Sequence, residues 1–173
     1  SHTNIPSPLS PSWIALNKNT GELIGEDGSG ASEYALHAAR SSLTYGKIEG
    51  QDTLIWGGTD GFCYGYSTTT EKDADGYDLF NPIWKVDCNE PHYRKDESGK
   101  RVPYATPPGP SELIGTPVLY EDKVYVAIGQ DPEHGDGVGR LSCIEAKSGK
   151  VLWKYTEVGR TISTVSVHDD LVY

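Results

Sequence analysis

The 173-residue sequence has no methionine, two phenylalanines and three cysteines, and its longest apolar runs fall far short of a membrane-spanning helix. The cysteines, Cys63, Cys88 and Cys143, cannot all pair within one chain. Their spacing contains no CxxC, which excludes the common thiolate metal sites and c-type haem attachment. One disulfide with a free thiol and three buried thiols both remain open. Cationic residues are scarce: 15 Lys and Arg face 25 Asp and Glu, for a formal net charge of −10. A nucleic-acid partner needs cations to displace counterions from its phosphates, so this balance argues against one. The opening stretch "SHTNIPSPLSPSW" lacks the charged and apolar regions of a signal peptide. "HDDLVY" ends inside what reads as a strand, so the expectation is a segment of a longer protein.

What is abundant points to β-structure. There are 20 Gly, 11 Pro, 11 Tyr and 4 Trp, and Gly and Pro punctuate short runs of Val, Ile, Thr and Tyr. The runs repeat. "GTPVLYEDKVYV" from Gly115 aligns with "STVSVHDDLVY" from Ser163, matching Thr116 to Thr164 at an offset of 48 residues. "SSLTYGKIEGQDTLIWGG", whose strand starts at Ser42, is a third copy, 74 residues before Thr116. Two polar or Pro-rich insertions, 68–81 and 89–110, absorb the longer interval and read as loops because they lack strand alternation. "SWIALNKNTGELI" likewise aligns with "IEAKSGKVLW", setting Thr20-Gly21 against Ser148-Gly149. Gly at such a position supplies the positive φ that a tight hairpin turn needs.

Each unit is four short strands, A to D, in roughly 40–50 residues, the length and strand count of a propeller blade. The expected layout is the end of one blade over 1–27 and a full blade over 41–88, with 68–81 inserted between its strands C and D. The inserted loop 89–110, a second full blade over 111–157 and the start of another over 161–173 follow. Trp56, Tyr64, Tyr66, Tyr125 and Tyr45 fall on strands and are expected between sheets. Leu54, Val118, Val124, Val126, Ile144, Val151 and Val165 are expected in the core.

"GRLSCIEAKSGKVLW", "LIWGGTDGFCYGYS" and "TPVLYEDKVYVAIG" resemble the repeats of quinoprotein-type (PQQ-like) β-propellers. In that family an Ala-x-x-Gly-x-x-x-Trp stretch lets a tryptophan dock between blades; Ala146, Gly149 and Trp153 match it. Trp84 in "NPIWKVD" holds the equivalent end of strand D, without the preceding Ala and Gly. The first copy departs further, with Gly25 where the tryptophan would fall. The resemblance implies an all-β fold, a complete ring of seven or eight blades of which about three are present, and a periplasmic or cell-surface location.

In a propeller the D–A and B–C connections surround one mouth of the channel. Three long loops map there, over 25–40, 89–110 and 130–138. Their candidate ligand or partner residues are His37 and Arg40 in the first, His92 and Arg94 in the second, and Asp131 and His134 in the third. Arg can hold a carboxylate bidentately and neutral His can serve as base or ligand, yet no two of these form a catalytic constellation. On the opposite face, "DADGYD" spaces Asp73, Asp75 and Asp78 around Gly76 like the start of a calcium loop. Pro82 stands where an EF-hand needs Glu, so the expectation there is at most a structural calcium.

The resemblance carries two readings of function. One is a non-catalytic scaffold that binds a protein or small molecule through its decorated face, as in the propellers of outer-membrane barrel assembly. The other is a PQQ- and calcium-dependent dehydrogenase that oxidises an alcohol or sugar and passes electrons onward. The vicinal cysteine pair often found in such dehydrogenases is absent from this sequence, and no motif places the quinone or calcium ligands. These features favour the scaffold.

Overall fold

The computed structural model describes residues 5, 7–35, 38–102, 110–129 and 139–173. Strands β1 (Ile14–Leu16) and β2 (Leu23–Asp27) form a hairpin closed at Gly21, whose φ of 76° only glycine adopts without strain. A 3₁₀ turn, Ala31–Tyr34, follows. The next sheet is an antiparallel meander of β3 (Thr44–Ile48), β4 (Gln51–Gly57) and β5 (Phe62–Ser67), completed by β8 (Pro82–Asp87). A third sheet repeats that order with β9 (Val118–Tyr120), β10 (Lys123–Ile128), β11 (Arg140–Glu145) and β12 (Val151–Tyr155). The short pair β13 (Val167–His168) and β14 (Leu171–Val172) comes last.

The 68–81 insertion departs from the loop expected of it. It forms β6 (Glu71–Lys72) and β7 (Asp78–Phe80), and β7 pairs in parallel with β2, matching Glu26 to Leu79 and Asp27 to Phe80. The insertion of one blade thus covers the outer edge of the preceding one, giving a sheet in the order β1-β2-β7-β6. Strands of two and three residues are too short to show alternation in sequence. Gly25 permits the approach: a Cβ there would lie 2.8 Å from the Asp78 carbonyl oxygen and 2.9 Å from the Phe80 ring. Where the first copy lacks its tryptophan, Phe80 therefore fills the space.

Two cores lie between the sheets. Phe80, Tyr66, Tyr64, Trp56 and Ala31, with Trp13 against them, join the first sheet to the second. Ile55, Cys63, Trp84 and Val86 meet Val124, Val126, Ile144 and Ala146 between the second and third. All three cysteines are free and buried. The Trp84 indole lies across Gly65 on its own sheet and Gly149 on the next, and Nε1–H donates to the Ala146 carbonyl oxygen at 2.9 Å. The repeat is also stitched at the innermost strands. Ser42 N donates to Thr116 Oγ1 (3.1 Å), and Thr116 N donates to Thr164 Oγ1 (2.9 Å), linking equivalent positions of successive units.

Two residues, one expected between sheets and one in the core, are exposed. Tyr45 is 61% exposed because it shares a face of β3 with Lys47, where its hydroxyl donates to Asp52. Gly46 and Ile48, on the other face, turn inward, and Gly46 lies against Leu119. Val151 is exposed along with every residue of β12, the outer strand of its sheet.

Candidate functional site

The face that carries the D–A and B–C connections is built around the 89–110 insertion. Asn89 closes its ends: Nδ2 donates to the Ser111 carbonyl oxygen (3.0 Å), and Ser111 N donates to Asn89 Oδ1 (2.7 Å). After Glu90 a one-turn helix, α1 (Pro91–Arg94), starts on proline, whose fixed φ suits a first helical position. The chain then turns at Asp96, whose Oδ1 accepts from Ser98 N (2.9 Å) and Lys100 N (3.0 Å). The Ser98 hydroxyl and these amides hold the Asp96 carboxyl below the ordinary carboxylate range.

Two arginines fasten this insertion to the blades. Arg94 donates through Nε and Nη2 to the two oxygens of Asp87 (2.8 and 2.7 Å) and through Nη2 to the Asp60 carbonyl oxygen (2.8 Å). Its guanidinium lies 4.7 Å from the Phe62 ring centroid. Arg140, buried on β11, donates to the carbonyl oxygens of Asn89 (3.0 Å) and Asp87 (3.1 Å), to Ser142 Oγ (2.9 Å) and to Glu90 Oε1 (3.2 Å). Lys154 also donates to both Glu90 oxygens (2.7 and 2.9 Å), and this pairing lowers the Glu90 pKa. A buried guanidinium satisfied at four acceptors is a positioning device, since leaving those acceptors bare would be costly.

Two clefts open beside the insertion. One, of about 400 Å³, lies between the first and second sheets and is lined by Phe62, Tyr64, Tyr34 and Arg101, with the Arg101 guanidinium over the Tyr34 ring. Asp60 lines it as well; its Oδ2 accepts from the Tyr64 hydroxyl (2.5 Å), and burial pushes its carboxyl above the ordinary value of 3.8. The other, of about 380 Å³, lies between the second and third sheets, with His92, Tyr93, Arg140 and Lys154 around it.

The residues singled out in the sequence are scattered over this surface. Arg94 lines the first cleft and His92 the second, where His92 is exposed and its ring sits 4.0 Å from that of Tyr93. Arg40 instead reaches the buried Glu112 at 3.6 Å. His37, Asp131 and His134 lie outside the described residues. Asp73, Asp75 and Asp78 do not converge. Asp73 Oδ1 accepts from the amides of Asp75 (3.0 Å) and Tyr77 (2.8 Å), while Asp78 pairs with Lys72 (2.9 Å), which lowers its pKa. Among the described residues no group of three or more His, Cys, Asp or Glu side chains is placed to hold a metal ion. Arg94 and Arg140 are engaged in holding the insertion, and the described residues assemble no calcium set. The sequence reading passed over Arg140, Lys85, Arg101, Phe62 and Asp60. Only Arg140 had a signal, a charge opening the otherwise small and apolar run "RLSCI".

Four-stranded sheets in meander order, packed face to face and linked at equivalent innermost positions, define this as the fold of a PQQ-like β-propeller. Among solved structures the chain is similar to BamB from Moraxella catarrhalis, at 16% identity and a TM-score of 0.55, over 92% of this chain and 38% of that one. It is similar to the quinohemoprotein alcohol dehydrogenase ADHIIG from Pseudomonas putida HK5, at 19% identity and a TM-score of 0.54, over 85% of this chain and 18% of that one. The chain thus spans about two-fifths and one-fifth of those proteins. No protein-family model matches the sequence, and no curated protein matches it. Among the described residues no helix is long and apolar enough to cross a membrane.

Proposed function

We propose that this chain belongs to an exported, non-catalytic propeller scaffold that binds a protein partner through the face carrying the 89–110 insertion. The observation that carries this reading is how the insertion is held. Asn89 joins its two ends, and Arg94 and Arg140 tie its first residues to the blades, so these polar side chains are used to present a surface. An insertion anchored at its ends by dedicated contacts beside this face suits recognition. The likeness in fold to BamB supports a periplasmic or cell-surface location, and the net charge of −10 argues against a nucleic-acid partner.

The test is a calorimetric titration of the full-length protein with PQQ and calcium, with a thermal-shift control. The scaffold reading expects no calcium-dependent saturable binding at high micromolar PQQ. Calcium-dependent binding near one PQQ per chain would overturn it in favour of a dehydrogenase acting on an alcohol or sugar.

A further inference from the structure

The cleft between the first and second sheets concentrates cations in an acidic chain. Four cationic side chains, Lys85, Arg94, Lys95 and Arg101, line it against two carboxylates, Asp60 and Asp87, although the chain as a whole carries a net charge of −10. Both carboxylates are taken up internally. Arg94 clamps the two oxygens of Asp87, while Asp60 accepts from the Tyr64 hydroxyl and from Phe62 N (3.2 Å). Among the described residues, Lys85, Lys95 and Arg101 have no ion-pair partner. Two of them are held over rings: Lys85 Nζ lies 5.4 Å from the Phe62 centroid, and the Arg101 guanidinium 4.9 Å from that of Tyr34. Such contacts position a cation without neutralising it.

From this arrangement we propose that the cleft is a binding site for a small organic anion, a carboxylate borne on a planar ring. Its volume of about 400 Å³ lies in the range of small-molecule sites. Its lining offers aromatic and apolar surface at Phe62, Tyr34 and Val102 for the ring. Lys85 and Arg101 stand over different rings and can each receive a carboxylate, Arg101 in two-pronged fashion. The cleft borders the 89–110 insertion through Arg94, Lys95, Arg101 and Val102, but anion binding there is read without any protein partner, so this inference does not depend on the scaffold role.

The experiment titrates the full-length protein calorimetrically with phthalate, with phthalamide as its neutral counterpart and with inorganic phosphate. Phthalate is expected to bind saturably at one per chain, with a Kd of about 1 mM or tighter. Phthalamide and inorganic phosphate should each bind at least about tenfold more weakly, since one lacks the charge and the other the ring. Lys85→Ala combined with Arg101→Ala should weaken phthalate by about tenfold or more, whereas Lys85→Arg should retain it. Both side chains are exposed, and circular dichroism with a melting curve confirms that the variants fold. Absence of saturable phthalate binding, binding unchanged in the double variant, or inorganic phosphate binding as tightly as phthalate would each overturn the proposal. Cross-linking of a protein partner at the insertion can fail without altering any of these results.

Discussion

Gly149→Ala separates the contact between blades from the cost of a turn. Gly149 has a φ of 74°, and a Cβ there would lie 2.9 Å from Trp84 Cδ2 and Cγ on the preceding sheet. Gly21, at the equivalent turn of the first unit, has a φ of 76° with nothing within 4 Å of its Cβ position. Alanine in the left-handed region costs about 1–2 kcal/mol, so Gly21→Ala should lower stability by that amount. Gly149→Ala carries the same cost plus that of forcing atoms into a filled interface, about 1–3 kcal/mol more. In a Trp84→Ala background the added methyl meets space, and the penalty of Gly149→Ala should fall to that of Gly21→Ala. Denaturant midpoints of the full-length protein for the four variants and the parent give the coupling directly. Equal penalties for Gly21→Ala and Gly149→Ala, or no coupling to Trp84, would refute the packing described for this indole.

Arg140→Ala strips donors from the carbonyl oxygens of Asn89 and Asp87 and should cost about 2–6 kcal/mol, given 1–3 kcal/mol for each of the two groups left unpaired. It should also speed tryptic cleavage after Lys95, Lys100 or Arg101, read by mass spectrometry. Phe80→Ala should destabilise by about 3–5 kcal/mol as a buried aromatic is lost between the first two sheets; denaturant unfolding measures this, and a cost below 1 kcal/mol would contradict the role given to the inserted hairpin. Burial raises the Asp60 carboxyl above 3.8, so the folded state holds that proton longer than the unfolded chain does. Ionising Asp60 therefore removes stability as pH rises from the unfolded value through the raised folded value. Asp60→Asn should flatten that part of the curve of Tm against pH, gaining on the parent as pH rises.

The fold was legible because its repeat is carried by local patterns. The match of Ser42, Thr116 and Thr164 in sequence became a chain of hydrogen bonds, and Gly21 and Gly149 aligned because both turns demand a positive φ. The hairpin over 68–81 was hidden because its strands are too short for alternation and its partner, β2, lies more than forty residues earlier. Tyr45 misled because β-propensity marks a strand without saying which face is covered. The site was less legible for a physical reason. Lys85, Arg101 and Phe62 come from a strand, an inserted loop and another strand, and nothing in sequence spacing converges them. Arg94 was marked for ligand recognition; in the fold its donors serve Asp87 and Asp60.

Photo-cross-linking in the native host tests the proposed face most directly. A photoreactive residue at His92 or Lys95 samples the insertion, and one at Asn19 or Gly50 samples the hairpin turns on the opposite face. The account predicts one dominant cross-linked protein from the insertion positions and none from the turns. Cross-links confined to the turns, or equal from both faces, would contradict it.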